Sequence, residues 1–136
     1  MNDTKWKVYR CPHCGSVMLA VTKEGQGPEL GCCGEKMQEI VPNTTEASVE
    51  KHVPVVHVDD GVLRAVVGSV AHPMSAEHSI EWIALETSTG CYLHRLTPGD
   101  QPQAEFALKP DEVPGRVLAY CNLHGLWAVQ AGARGE

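Results

Sequence analysis

A chain of 136 residues, 43% hydrophobic and only 5% aromatic, has the composition of one ordinary soluble domain or two small ones. No stretch approaches the roughly 18 consecutive apolar residues of a membrane helix. At a net charge of −6, with no basic run or basic–aromatic stripe, the chain is expected to bind neither membrane nor nucleic acid.

The opening residues, Met1 to Lys7, show no apolar run behind their charges and so no secretory signal pattern, which makes the cytoplasm the expected location. Six cysteines in such a chain point to metal or redox chemistry before structural disulfides. Four of them, Cys11, Cys14, Cys32 and Cys33, fall in residues 1–37, a Cys/Gly-rich unit too short to hold itself together by apolar burial alone. Short strands are predicted over 6–9 and 17–22, and Lys23-Glu24-Gly25-Gln26-Gly27-Pro28 reads as a turn. In Cys11-Pro12-His13-Cys14-Gly15, two thiolates from one turn can grip a tetrahedral metal, and Gly15 and Gly34 supply backbone freedom. Two thiolate pairs select zinc or iron. Adjacent cysteines point in different directions, so Cys32 and Cys33 on one metal should distort the tetrahedron, unlike an ordinary zinc ribbon. Spacing alone leaves a zinc staple and an iron site both open, with a disulfide knot as the weaker alternative.

Residues 38–49 are polar, contain one proline and lack a period, which suits a linker. Over 50–136 β-branched runs alternate with turns. Strands are predicted over 52–58, 63–70, 79–87, 91–96, 104–108, 116–121 and 126–130, separated by turns such as Asp59-Asp60-Gly61, Ser88-Thr89-Gly90 and Pro98-Gly99-Asp100. That spacing predicts an all-β antiparallel sandwich, and no window carries a helical stripe.

Four of the seven histidines stand in segments that read as metal-binding: Glu50-Lys51-His52-Val53-Pro54, His72-Pro73-Met74, His78, and Cys121-Asn122-Leu123-His124-Gly125. On a straight strand Cys121 and His124 would face opposite ways. They can share a metal only if the chain turns between them, which Gly125 permits. Imidazoles suit zinc, copper, iron or nickel, and an added thiolate suits a redox metal. A lone histidine is usually a surface or hydrogen-bonded core residue, but four with a cysteine at strand ends fit that reading poorly. His57 and His94 are left as structural, and His13 as solvated. A blue-copper sandwich also uses an upstream His and a late Cys-x-x-His, but adds an axial Met. Here Gly125-Leu126-Trp127-Ala128-Val129 follows His124, so that rival loses.

At these residues the sequence closely resembles desulfoferrodoxin. CPHC…CC is similar to desulforedoxin, while EKHVP, HPM, the EH before IEWI, and YCNLHGLW are similar to the superoxide reductase domain. The likeness runs from about Tyr9 to Trp127 in family order. It implies a small desulforedoxin-like domain followed by an immunoglobulin-like sandwich, and two mononuclear iron centres. The first would be ligated by Cys11, Cys14, Cys32 and Cys33. The second would have His52, His72, His78 and His124 in the equatorial plane and Cys121 axial, with a sixth position open when ferrous and taken by Glu50 when oxidised. Lys51 matches the lysine that assists the substrate. The resemblance also implies a homodimer and a rubredoxin-like electron donor. Cys91 matches no ligand and is expected to be a buried or free thiol, and residues 131–136 lie outside the likeness.

Charge arithmetic suits that implication. Ferrous iron with four neutral imidazoles and one thiolate carries about +1, and Lys51 adds to it, so a small anion is drawn in locally. A distant unit charge at about 10 Å in water contributes only roughly 0.4 kcal/mol before screening, so the acidic chain as a whole matters little. Four thiolates make the first site net negative and closed, suited to passing electrons. The expected reaction is reduction of superoxide by one electron and two protons to hydrogen peroxide. The Cys121 thiolate would favour product release, Lys51 would hold the anion and help deliver a proton, and Glu50 would cap the ferric site. An electron carrier without catalysis and a zinc-stapled binding module are the competing functions. Dismutation is a further one, which a Glu-capped site should resist.

Overall fold

The structure, a computed structural model, describes residues 6–22 and 29–131. The turn expected at 23–28 and the tail beyond residue 131 lie outside the described residues. The chain divides into two units, Met1–Val41 and Pro42–Glu136.

In the first unit, β1 (Trp6–Arg10) pairs antiparallel with β2 (Val17–Val21), and β3 (Gly31–Cys32) with β4 (Glu35–Lys36). β5 (Gln38–Ile40) adds to the other edge of β1, so the sheet order is β2-β1-β5. The first three residues of the expected 38–49 linker are therefore sheet; a three-residue edge strand is too short for its alternation to show. Tyr9, Cys11 and Met37 form a small buried cluster, with Ala20, Leu30 and Cys32 packed on it. So little buried apolar surface cannot offset chain entropy unaided, which is the physical case for a metal staple here.

The second unit begins with α1 (Val49–His52), then β6 (Pro54–Asp59), β7 (Val62–Val67), β8 (Ile80–Thr87), β9 (Cys91–Arg95), β10 (Gln103–Ala107), β11 (Pro114–Cys121) and β12 (Gly125–Gln130). Two antiparallel sheets, β10-β7-β6 and β12-β11-β8-β9, make the expected immunoglobulin-like sandwich. Leu63, Ala65, Val67 and Phe106 from one sheet form a single core with Ile83, Leu85, Val117 and Ala119 from the other. Along β7 and β10 every second residue is buried, the period-two pattern of a half-buried strand.

One expected strand starts late. Instead of extending over 52–58, the chain makes a single helical turn that ends at His52, closed by the Val53 amide donating to the Val49 carbonyl at 3.0 Å. One turn is too short to show a helical stripe, and Pro54 forces the residue before it out of the helix. β7 ends at Val67, short of the predicted residue 70, because Gly68 turns the chain at φ +87°.

Candidate metal centres

The first group of candidate ligands is built by two turns. The Cys11 amide donates to the Ser16 carbonyl at 2.9 Å and the Gly15 amide to the Cys11 carbonyl at 3.1 Å, which closes the CPHC knuckle between β1 and β2. Opposite it, Cys33 and Gly34 form the two-residue turn of the β3–β4 hairpin, both at positive φ (55° and 77°). This is a primed hairpin turn, in which successive residues leave the strand direction. It is how neighbouring cysteines come to share one site. The sulfurs of Cys11, Cys14, Cys32 and Cys33 all lie within 4.8 Å of one another. Sulfurs this close compete for protons. The Ser16 hydroxyl, 3.1 Å away, holds Cys14 down at about 6, while the neighbouring sulfur of Cys11 pushes Cys32 up to about 12. A cation among them would let all four be thiolates. His13 is exposed, as expected, and pairs with Glu35 across the two turns at 3.1 Å.

The second group comes from the turns at one end of the sandwich. The side chains of His52, His72, His78 and Cys121 bring their ligand atoms within 4.8 Å of one another. His124 joins them, with Nδ1 3.1 Å from His52 Nε2 and 3.9 Å from the Cys121 sulfur. The four rings close a quadrilateral: His52–His72 4.7 Å, His72–His78 4.7 Å, His78–His124 5.1 Å and His124–His52 4.9 Å between centroids, with 6.4 Å across from His52 to His78. Each neighbouring pair meets edge to face.

Backbone acceptors aim the rings. His52 Nδ1–H donates to the Ser48 carbonyl and His72 Nδ1–H to the Pro73 carbonyl, both at 2.7 Å, which leaves each Nε2 as a lone pair facing inward. The Nε2 atoms of His72 and His78 are buried with no hydrogen-bond partner among the described residues. Burial lowers the basicity of His52, His72 and His78, His72 to about 4, which favours neutral imidazoles whose ring nitrogens are available to a metal. The Cys121 thiol is raised by burial, and a nearby cation would be needed to make it a thiolate. Donor set and orphaned nitrogens together fit a redox metal such as iron.

The chain does turn at Gly125: β11 and β12 pair with Cys121 opposite Gly125, and the His124 amide donates to the Cys121 sulfur at 3.4 Å. Two residues that escaped the sequence reading support this hairpin. Asn122 accepts from the Ser79 amide at 3.0 Å and donates to the Glu77 carbonyl at 2.9 Å, which ties it to the His78 segment. Trp127 stacks on His52 at 4.8 Å and donates from Nε1 to the His124 carbonyl at 3.1 Å. Asn122 lies inside the Cys121–His124 spacing, but nothing in the sequence reveals a partner so far along the chain.

Glu50 and Lys51 sit exposed on α1, directly before buried His52. The Lys51 charge reaches His52 and His78, adding to burial in lowering their basicity. His57 and His94 are exposed on β6 and β9, outside both groups. Cys91 is half-buried on β9, and burial pushes its thiol up to about 11, so it is a poor nucleophile. Among the described residues no helix is long and apolar enough to cross a membrane.

Comparison with known proteins gives consistent matches. Residues 44–130 match the family model described as Desulfoferrodoxin, and residues 4–40 match that described as Desulfoferrodoxin, N-terminal domain. The chain is 42% identical over 127 residues to the desulfoferrodoxin of Nitratidesulfovibrio vulgaris, covering 93% of this chain and 98% of the relative. It is 46% identical over 123 residues to a desulfoferrodoxin homolog of Archaeoglobus fulgidus, covering 89% and 94%. Among solved structures, the superoxide reductase from Treponema pallidum aligns with a TM-score of 0.79 at 31% identity, covering 93% of this chain and all of that one.

Proposed function

The chain belongs to the desulfoferrodoxin family, and on that footing we propose how its residues divide the work of a superoxide reductase with two iron centres. Cys11, Cys14, Cys32 and Cys33 hold the first iron; His52, His72, His78, His124 and Cys121 hold the second. The observation that carries the second assignment is the pair of buried, partnerless Nε2 atoms of His72 and His78 inside a closed set of four imidazoles. A blue-copper site normally adds a weak axial thioether. The Met74 sulfur instead accepts from the Ile80 amide at 3.4 Å and packs against the core.

Bound iron supplies the single electron that, with two protons, turns superoxide into hydrogen peroxide. The residues do the rest. His52, His72, His78, His124 and Cys121 would supply five donors to the iron, and a six-coordinate ion would have room for one small ligand besides them. Neutral imidazoles keep the site from accumulating negative charge, and exposed Lys51 adds a positive one, so the anion is drawn to this point of an acidic chain. Lys51, directly or through water, delivers a proton to the reduced oxygen. Glu50 would be the carboxylate available to cap the oxidised iron. The four-cysteine centre has no open position and passes electrons, so residues 1–41 are the electron-transfer domain and 42–136 the catalytic one. The family resemblance supports a rubredoxin-like donor, a homodimer and a cytoplasmic location.

The test is a stoichiometry. With a one-electron donor in excess, the protein should yield one hydrogen peroxide per superoxide consumed and oxidise one donor. One peroxide per two superoxide, with the donor untouched, would mean dismutation; donor oxidation without peroxide would mean a carrier.

A further inference from the structure

We propose that the turn Gly68-Ser69-Val70 is a positioning device that seats the backbone of Glu50 and Lys51, so that the two charged side chains move from a fixed anchor beside His52. The inference rests on the reading of those two residues as the substrate-facing pair.

α1 cannot hold itself in place. It is one turn, and an isolated turn fixes more backbone than its hydrogen bonds repay. Ser48 at its N-terminus makes no side-chain cap bond. The Glu50 and Lys51 side chains are exposed and make no hydrogen bond or ion pair among the described residues, so only their backbone can place them.

That backbone is held from one side by the exit of β7. The Glu50 carbonyl accepts from the Val70 amide at 3.0 Å and from the Ser69 hydroxyl at 3.3 Å. Gly68 approaches so closely that a Cβ there would lie 2.8 Å from the carbonyl oxygens of both Glu50 and Lys51, and 2.3 Å from that of Val70. Its φ of +87° is a second bar to any other residue. The seat is anchored in turn. Val67, the last residue of β7, is fully buried and its amide donates to the Pro102 carbonyl at 2.8 Å. The His72 amide donates back to the Val67 carbonyl at 3.4 Å. One short turn thus carries the seat of Glu50-Lys51 and leads directly into the His72 segment. A steering charge works best when its geometry is fixed before the substrate arrives.

Amide hydrogen exchange on the iron-loaded protein tests this apart from catalysis. Ser69→Ala should speed exchange of the Lys51 and Val53 amides roughly two- to ten-fold, the effect of one lost hydrogen bond, while the β8 and β11 amides and the iron content stay as they were. Gly68→Ala should have a larger effect at the same amides. In both variants the second-order rate with superoxide should fall and its salt dependence should flatten toward that of Lys51→Ala. Unchanged exchange in Ser69→Ala overturns the proposal, whether or not Gly68→Ala folds. Faster exchange with the salt dependence intact also overturns it, provided Lys51→Ala flattens that dependence. If Lys51→Ala leaves it intact too, the seat stands and the reading of Lys51 is what fails.

Discussion

His72 and His78 each bury a ring nitrogen without a hydrogen-bond partner among the described residues, at a cost of about 1–3 kcal/mol apiece that a cation between them would remove. Cys121 is the mirror case, a thiol that burial keeps protonated until positive charge arrives. Its replacement should therefore be visible in one centre only. Cys121→Ser is expected to abolish the thiolate-to-ferric absorption band of the five-donor site and to spare the bands of the four-cysteine site; a band that persists would contradict Cys121 as an iron ligand. Lys51 lies outside the ligand set, yet its charge is felt at His52 and His78. Lys51→Ala should slow the second-order reaction with superoxide and flatten its dependence on ionic strength, with the absorption spectrum unchanged. Stopped-flow or pulse methods at several salt concentrations check both.

At the level of elements, the β8–β9 hairpin depends on one buried carboxylate. Glu112 accepts from the hydroxyls of Thr87, Thr89 (3.1 Å) and Tyr92 (2.8 Å) and from the Lys109 amide (3.1 Å). These donors, the Thr87 hydroxyl first, hold its carboxyl down at about 2, from an ordinary 4.5. A depressed folded value means the stabilisation is complete above about 4.5 and disappears as pH falls toward 2. Wild type should therefore exceed Glu112→Gln in thermal stability at neutral pH, with the gap narrowing across that window; a constant gap would show that the charge of Glu112 is not what holds the hairpin. The strands themselves were readable because β-branched runs and turn residues announce them. α1 was not, since one helical turn has no period, and neither was the sheet role of Gln38–Ile40. The ligand residues were readable as types and spacings. The devices that aim them were not: the Ser48 and Pro73 carbonyls are backbone atoms, and the bond between Asn122 and Ser79 joins two segments that touch only in the fold.

For the whole molecule, a net charge of −6 and an anionic substrate are reconciled by locality, since charges at the site outweigh those a Debye length away. The two units differ in their donors: one gathers four sulfurs, the other four imidazoles with one sulfur. Function was legible at this scale because both donor sets are short motifs in order along the chain. The site of four histidines and Cys121 must hold iron for the reduction of superoxide to run. Elemental analysis of the protein as purified tests that most directly: two irons per chain are expected, and zinc or copper in the histidine site would contradict it.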